Sequence, residues 1–140
     1  MEQATRIMKI GIDIGGVISK YPDLFRKLIN TLNGTDITIY VVSDMHDHAK
    51  MVRMLAMNGI NIPSERVISA NYTEYGEHCK TKVCDELGLD MLIDDFIGYL
   101  ANGKHVRLLV MPNGDEPYYH DSWKTDGSEG DFGRRRKGKQ

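Results

Sequence analysis

Five short runs of almost wholly apolar residues punctuate this chain, at positions 7–14, 37–43, 67–70, 91–94 and 106–111, with helix-length segments between most of them. A strand apolar on both sides has to be covered on both sides, which is the situation of a parallel sheet in an α/β protein. The intervening segments fit that requirement. Residues 21–32 place Leu24, Phe25, Leu28, Ile29 and Leu32 at the spacing of one helix face, and residues 47–58 do the same with Met51, Met54 and Leu55. Residues 80–87 turn Val83, Cys84 and Leu87 inward before Gly88, and a short helix is expected at 97–102. Asn33-Gly34 and Asn58-Gly59 stand where helices end, as residues that tolerate a left-handed conformation. The expected fold is α/β, a three-layer sandwich around a five-stranded parallel sheet.

Bulk properties narrow the function classes. With 140 residues the chain is the size of one ordinary domain, and a net charge of −2 advertises no global attraction to nucleic acid or membrane. No apolar stretch approaches the ~20 residues needed to span a bilayer. The first residues, Met1-Glu2-Gln3-Ala4-Thr5-Arg6, lack the apolar core of a secretory signal, so a cytoplasmic location is expected. Two cysteines, Cys79 and Cys84, make neither a disulfide framework nor a zinc knuckle; Cys84 reads as helix core, Cys79 as core or surface. Beyond Pro112 the composition shifts, and residues 124–140, rich in Gly, Asp, Ser and Arg, read as a disordered tail after a single domain at 1–123. Its basic cluster, Arg134-Arg135-Arg136-Lys137 with Lys139, is solvated by default. With Tyr118, Tyr119, His120 and Trp123 upstream it offers a nucleic-acid arm as the sharper alternative.

The chemistry-bearing residues sit where the expected strands stop. Ile10-Gly11-Ile12 ends in Asp13, Tyr40-Val41-Val42 in Ser43, and Met91-Leu92-Ile93 in Asp94-Asp95, while Lys80 opens a helix. Open α/β sheets bind ligands beyond the carboxyl ends of their strands. An acid, a hydroxyl, a lysine and an acid pair gathered there would serve metal-assisted phosphoryl transfer. Lys80 is preferred over Lys82 because positions 80, 83, 84 and 87 share a helix face, whereas Lys82 lines up with Glu86 as an outward i,i+4 pair.

Asp13-Ile14-Gly15-Gly16-Val17-Ile18 resembles the first motif of the haloacid dehalogenase (HAD) superfamily, most of whose members are phosphatases. Ser43, Lys80 and Asp94-Asp95 match its second, third and fourth motifs in order, over residues 7 to 111. The resemblance implies a Rossmann-like, HAD-type sheet and a Mg²⁺-dependent phosphatase-like hydrolase. It implies Asp13 as the nucleophile that forms an aspartyl-phosphate, with Ser43 and Lys80 as the other catalytic side chains. It implies phosphate binding by Ile14, Gly15, Gly16, Ser43 and Lys80, and metal binding by Asp13, the Gly15 carbonyl and either or both of Asp94 and Asp95. Neither gap between the first three motifs has room for a cap domain, so an open site suited to bulky phosphorylated substrates follows, or one closed by another subunit.

One family position differs. An aspartate two residues after the nucleophile is the usual general acid, and here Gly15 occupies that position. Loss of one acid–base group typically lowers a rate by about 10²–10⁴. The alternatives are a substitute acid, with Asp44 and His46 the nearest by sequence, or a catalytically weak or inactive binding and regulatory protein. A receiver-like domain is disfavoured because its acid pair would cluster near the first strand. Other readings of these residues remain: Asp13 as a turn cap, Ser43-Asp44 as a helix start, Asp94-Asp95 as a dipole-complementing pair, and His46-Asp47-His48 as a solvated loop or metal cluster. The eight methionines read as core filler.

Overall fold

A computed structural model of the chain describes residues 7–96 and 107–110. In chain order it contains β1 (Lys9–Ile12), α1 (Pro22–Leu32), β2 (Thr38–Ser43), α2 (His48–Met57), β3 (Val67–Ser69), α3 (Tyr72–Tyr75), α4 (Cys79–Leu87), β4 (Met91–Asp94) and β5 (Arg107–Val110). The strands lie side by side in the order β3-β2-β1-β4-β5, and every pairing is parallel. The α/β class read from the apolar runs is therefore the class observed. In the register, Ile12 of β1 stands opposite Val41 of β2 and Ile93 of β4, so these three strands end nearly level.

Alternation along the strands sends side chains into two separate clusters. Ile12, Val41 and Ile93 pack with Phe25 and Ile29 of α1 and Met51, Met54 and Leu55 of α2. Val42 and Leu92 pack instead with Cys79 and Cys84 of α4 and with Leu89. Since successive strand residues point to opposite faces, α1 and α2 cover one face and α4 the other. Met45, Met51 and Met54 are buried, as core filler should be, whereas Met57 is exposed.

Several local expectations change. The first run is a strand only over Lys9–Ile12; the chain then turns sharply through Gly15 (φ −67°, ψ 124°) and Gly16 (φ 77°, ψ −4°), and the Ser19 N–H donates back to the Ile14 carbonyl at 2.9 Å. The end of α1 needs no left-handed residue: Asn33 keeps φ −60°, and the Thr35 hydroxyl, 2.6 Å away, donates to the Leu32 carbonyl that the helix leaves over. Gly88 does adopt a left-handed conformation at φ 70°, and the Leu89 N–H then donates to the Cys84 carbonyl at 2.9 Å, closing α4. The short helix α3 was not expected; Asn71 caps it through the Glu74 N–H at 3.0 Å. The helix expected at 97–102 and the basic tail lie outside the described residues.

Both thiols are buried, which resolves Cys79 as core. Burial pushes the Cys79 thiol up to about 11 and the Cys84 thiol up to about 12, with the Lys80 charge pulling the other way in each case. Neither should react with an aromatic disulfide reagent at pH 8 while the chain is folded, and both should react on unfolding. The unfolded chain gives up these protons from about pH 9, whereas the folded chain holds them longer. Stability should therefore be unaffected by the thiols below about pH 9 and fall as pH climbs from there toward 12, a trend that chemical denaturation at graded pH would measure.

Candidate functional site

The chain order reverses at β1, which lies between β2 and β4 and so marks the switch point at which doubly wound sheets open a crevice. Asp13 follows β1 directly, and its N–H donates to the Ile93 carbonyl at 2.9 Å, which holds it against the end of β4. Asp94 is the last residue of β4. Gly11 and Leu92 are register partners, and a methyl placed on Gly11 would lie 3.1 Å from Leu92 and 3.3 Å from Val42, so all three belong to the face under α4. Two residues further along their strands, Asp13 and Asp94 emerge on that same face.

Lys80 meets them there. In the first turn of α4 its Nζ donates to Asp13 Oδ1 and to Asp94 Oδ2, each at 2.7 Å. Lys80 and Asp94 are 0% exposed and Asp13 2%, so this is a buried triad. Burial alone would pull the Lys80 ammonium down; the charges of Asp13, Asp94 and Asp44 outweigh it and hold it above the usual lysine range. Lys80 is thus a fixed cation at neutral pH. The other oxygen of Asp94, Oδ1, accepts the Phe96 N–H at 2.9 Å, which fixes the carboxylate plane. Lys82 points outward and pairs with Glu86 at 3.1 Å, as its helix position requires.

Asp95 completes the cluster: one ligating oxygen from each of Asp13, Asp94 and Asp95 lies within 4.8 Å of the others. An octahedral ion with bonds of about 2.1 Å sets its opposite ligands about 4.2 Å apart, so the set needs at most a small closure to hold one. Three buried carboxylates are hard oxygen donors and fit a hard divalent cation better than zinc or copper. Asp95 reaches this position only because residue 16 has no side chain. A Cβ on Gly16 would stand 2.2 Å from Asp95 Oδ2, and its φ of +77° disfavours other residues as well. Gly16→Ala should therefore lower stability by about 1–3 kcal/mol and weaken divalent-cation binding at least tenfold, which thermal unfolding and calorimetric titration would measure.

The remaining candidates sit around this group. Ser43 ends β2 and is buried, and its Oγ accepts the Met45 N–H at 3.2 Å. Val41 and Met45 both pack under α1 and α2, so Ser43 between them faces that side of the sheet, at the same rim as Asp13 but across from Lys80. The Gly16 N–H donates to Ser19 Oγ at 3.0 Å, so in this structure it is engaged within the turn. Asp47, and not Ser43 or Asp44, caps α2, accepting the Lys50 N–H at 3.0 Å. His46 and His48 are exposed and diverge: His46 approaches Thr73 at 3.5 Å and His48 the Ser64 carbonyl at 3.1 Å. They build no metal cluster among the described residues.

No family model, curated protein or solved structure matches this chain. No helix among the described residues is long and apolar enough to cross a membrane.

Proposed function

We propose that this chain is a Mg²⁺-dependent phosphatase-like hydrolase of the HAD type, acting through an aspartyl-phosphate on Asp13. The observation that carries the reading is the convergence of Asp13, Asp94, Asp95 and Lys80 at one buried point beyond the ends of β1 and β4. On this reading the sheet is the centre of a three-layer, Rossmann-like sandwich. Asp13, Asp94 and Asp95, with the Gly15 carbonyl, would hold the ion. When bound, Mg²⁺ supplies charge neutralisation that lets an anionic phosphoryl group approach an anionic nucleophile.

The chain's own residues do the rest. Asp13 Oδ attacks phosphorus, already ionised and aimed by its backbone bond to β4. Lys80, a permanent cation, holds Asp13 in place and stabilises the charge that gathers on the non-bridging oxygens. The N–H groups of the Ile14–Gly16 turn are the further donors proposed for those oxygens, and Ser43, on the α1 and α2 side, would reach them over the rim of the sheet; the Gly16 N–H would have to exchange Ser19 for phosphate. Residues 14–93 hold only the elements described above and two single-turn helices, Ser64–Arg66 and Gly76–His78, with no inserted domain to enclose a small substrate. A bulky phosphorylated substrate is the natural guest of such a rim.

Gly15 favours a second reading, in which the fold binds Mg²⁺ and phosphate but turns nothing over. One assay separates them. Aryl phosphate hydrolysis should depend on Mg²⁺ and fall to background on chelation. Binding of Mg²⁺ with trifluoroberyllate but no turnover would favour the second reading, and absence of both would reject the site.

A further inference from the structure

We propose that Asp44 is the general acid and base of this site, supplying from the end of β2 the carboxyl group that Gly15 lacks. The proposal rests on the phosphatase reading above and deepens it.

The geometry follows from the pleat. Val41 and Met45 belong to the cluster under α1 and α2, and Val42 to the cluster under α4, so alternation persists past the formal end of β2. Asp44 therefore emerges on the α4 face, as Asp13 and Asp94 do. Three adjacent strands, β2, β1 and β4, each deliver one carboxylate to that face. Ile12 stands opposite Val41, which puts Asp13 level with Val42 and Asp44 two residues further out. That offset is about 6.6 Å along the strand and about 4.8 Å across, or about 8 Å between the two Cα positions.

Two side chains of α4 register this position. The Asp44 charge raises both the Lys80 ammonium and the Cys79 thiol, as a carboxylate near the head of α4 would. The Met45 N–H bond to Ser43 Oγ fixes the backbone on either side of Asp44. Unlike Asp13 and Asp94, Asp44 is only half-buried, so the water of the second half-reaction can reach it. Asp13 sits deep and Asp44 sits outward on the same face. A phosphoryl group between them presents phosphorus to Asp13 and its leaving oxygen to Asp44. His46 is exposed further out and turned toward Thr73.

The proton account closes. In the first step the Asp13 oxygen bonds to phosphorus while the bond from phosphorus to the leaving oxygen breaks. That electron pair stays on the leaving oxygen, which takes the proton of the Asp44 carboxyl and departs as an alcohol. In the second step the Asp44 carboxylate takes a proton from water as the water oxygen bonds to phosphorus. The bond from phosphorus to Asp13 breaks, its electron pair returns to Asp13, and Asp44 is again protonated as inorganic phosphate leaves.

The experiment compares the full-length chain with Asp44→Asn, in Mg²⁺, on p-nitrophenyl phosphate and on glycerol phosphate. Because kcat/KM covers only the steps through phosphoenzyme formation, it isolates leaving-group protonation. In Asp44→Asn it should fall about 100-fold or more for the alkyl ester and far less for the aryl ester, which leaves without help. The variant should also accumulate phosphate covalently on Asp13, and Gly15→Asp on the same background should recover alkyl turnover. An unchanged Mg²⁺ affinity would separate this from misfolding. Equal losses on the two esters, or the alkyl-selective loss appearing in His46→Gln and not in Asp44→Asn, would overturn the assignment while leaving the phosphatase reading intact. A wild-type chain that hydrolyses neither ester would overturn both.

Discussion

Replacing Lys80 by Met should destabilise the chain by about 3–5 kcal/mol, more than any other single change at the site. The substitution keeps volume and apolar stem, and removes only the ammonium. What it leaves behind is Asp13 and Asp94, both buried, each having lost a 2.7 Å bond from Nζ. Ionised carboxylates without a counter-charge in such a place are among the costliest groups a fold can hold. The effect belongs to the orphaned partners more than to the pair, and a double variant would demonstrate it. Lys80→Met with Asp94→Asn should regain part of the loss, because one of the two uncompensated charges is gone. Divalent cation should raise the melting temperature of Lys80→Met more than that of the wild type, since the ion would take over neutralisation of Asp13 and Asp94. Urea unfolding reads out the first two comparisons, and thermal unfolding with and without Mg²⁺ the third. A loss under about 1 kcal/mol would mean that the triad is not the buried ion pair described here.

Asp13→Asn should abolish hydrolysis of aryl phosphate, lowering kcat by on the order of 10⁴-fold or more, with little change in the fold. Asparagine is the same size, accepts the Lys80 bond through its carbonyl, and keeps the N–H bond to Ile93. It is a poor nucleophile toward phosphorus at neutral pH. The size of the fall matters because other roles for Asp13 predict smaller ones. A mere turn cap would change stability by about 1 kcal/mol and leave turnover nearly intact. A metal ligand that is not the nucleophile would lose affinity for Mg²⁺, and saturating metal would restore part of the rate. Neither of these roles leaves a deficit that metal and substrate concentration both fail to repair, whereas loss of the nucleophile does.

Much of this arrangement could be read from residues before any coordinates. The runs at 37–43 and 91–94 read as interior strands because each is free of charge up to its last residue and rich in apolar side chains on both faces, and a parallel sheet is the arrangement that buries such strands. Lys80 and Lys82 were separable on helix periodicity alone, and the structure puts one in the core and the other on Glu86. Strand ends were legible because a carboxylate cannot continue an apolar run. Less legible were features that depend on what a neighbour occupies. That Gly16 exists to admit Asp95 is a tertiary fact about residues 79 positions apart, with no local signal. The right-handed end of α1 depended on the Thr35 hydroxyl, which competed successfully with the left-handed tendency of Asn33-Gly34. The facing of Ser43 required knowing that Met45 is core, since the pleat then places Ser43 under α1 and α2.

The site's central claim is a covalent one, and trapping tests it most directly. The wild-type chain would be mixed with aryl phosphate and Mg²⁺, quenched in acid, reduced with borohydride to convert any acyl phosphate to an alcohol, and mapped by mass spectrometry. Reduction at Asp13 that vanishes when Mg²⁺ is chelated is the predicted result. Turnover with no modification of Asp13, or with the label on another residue, would contradict it.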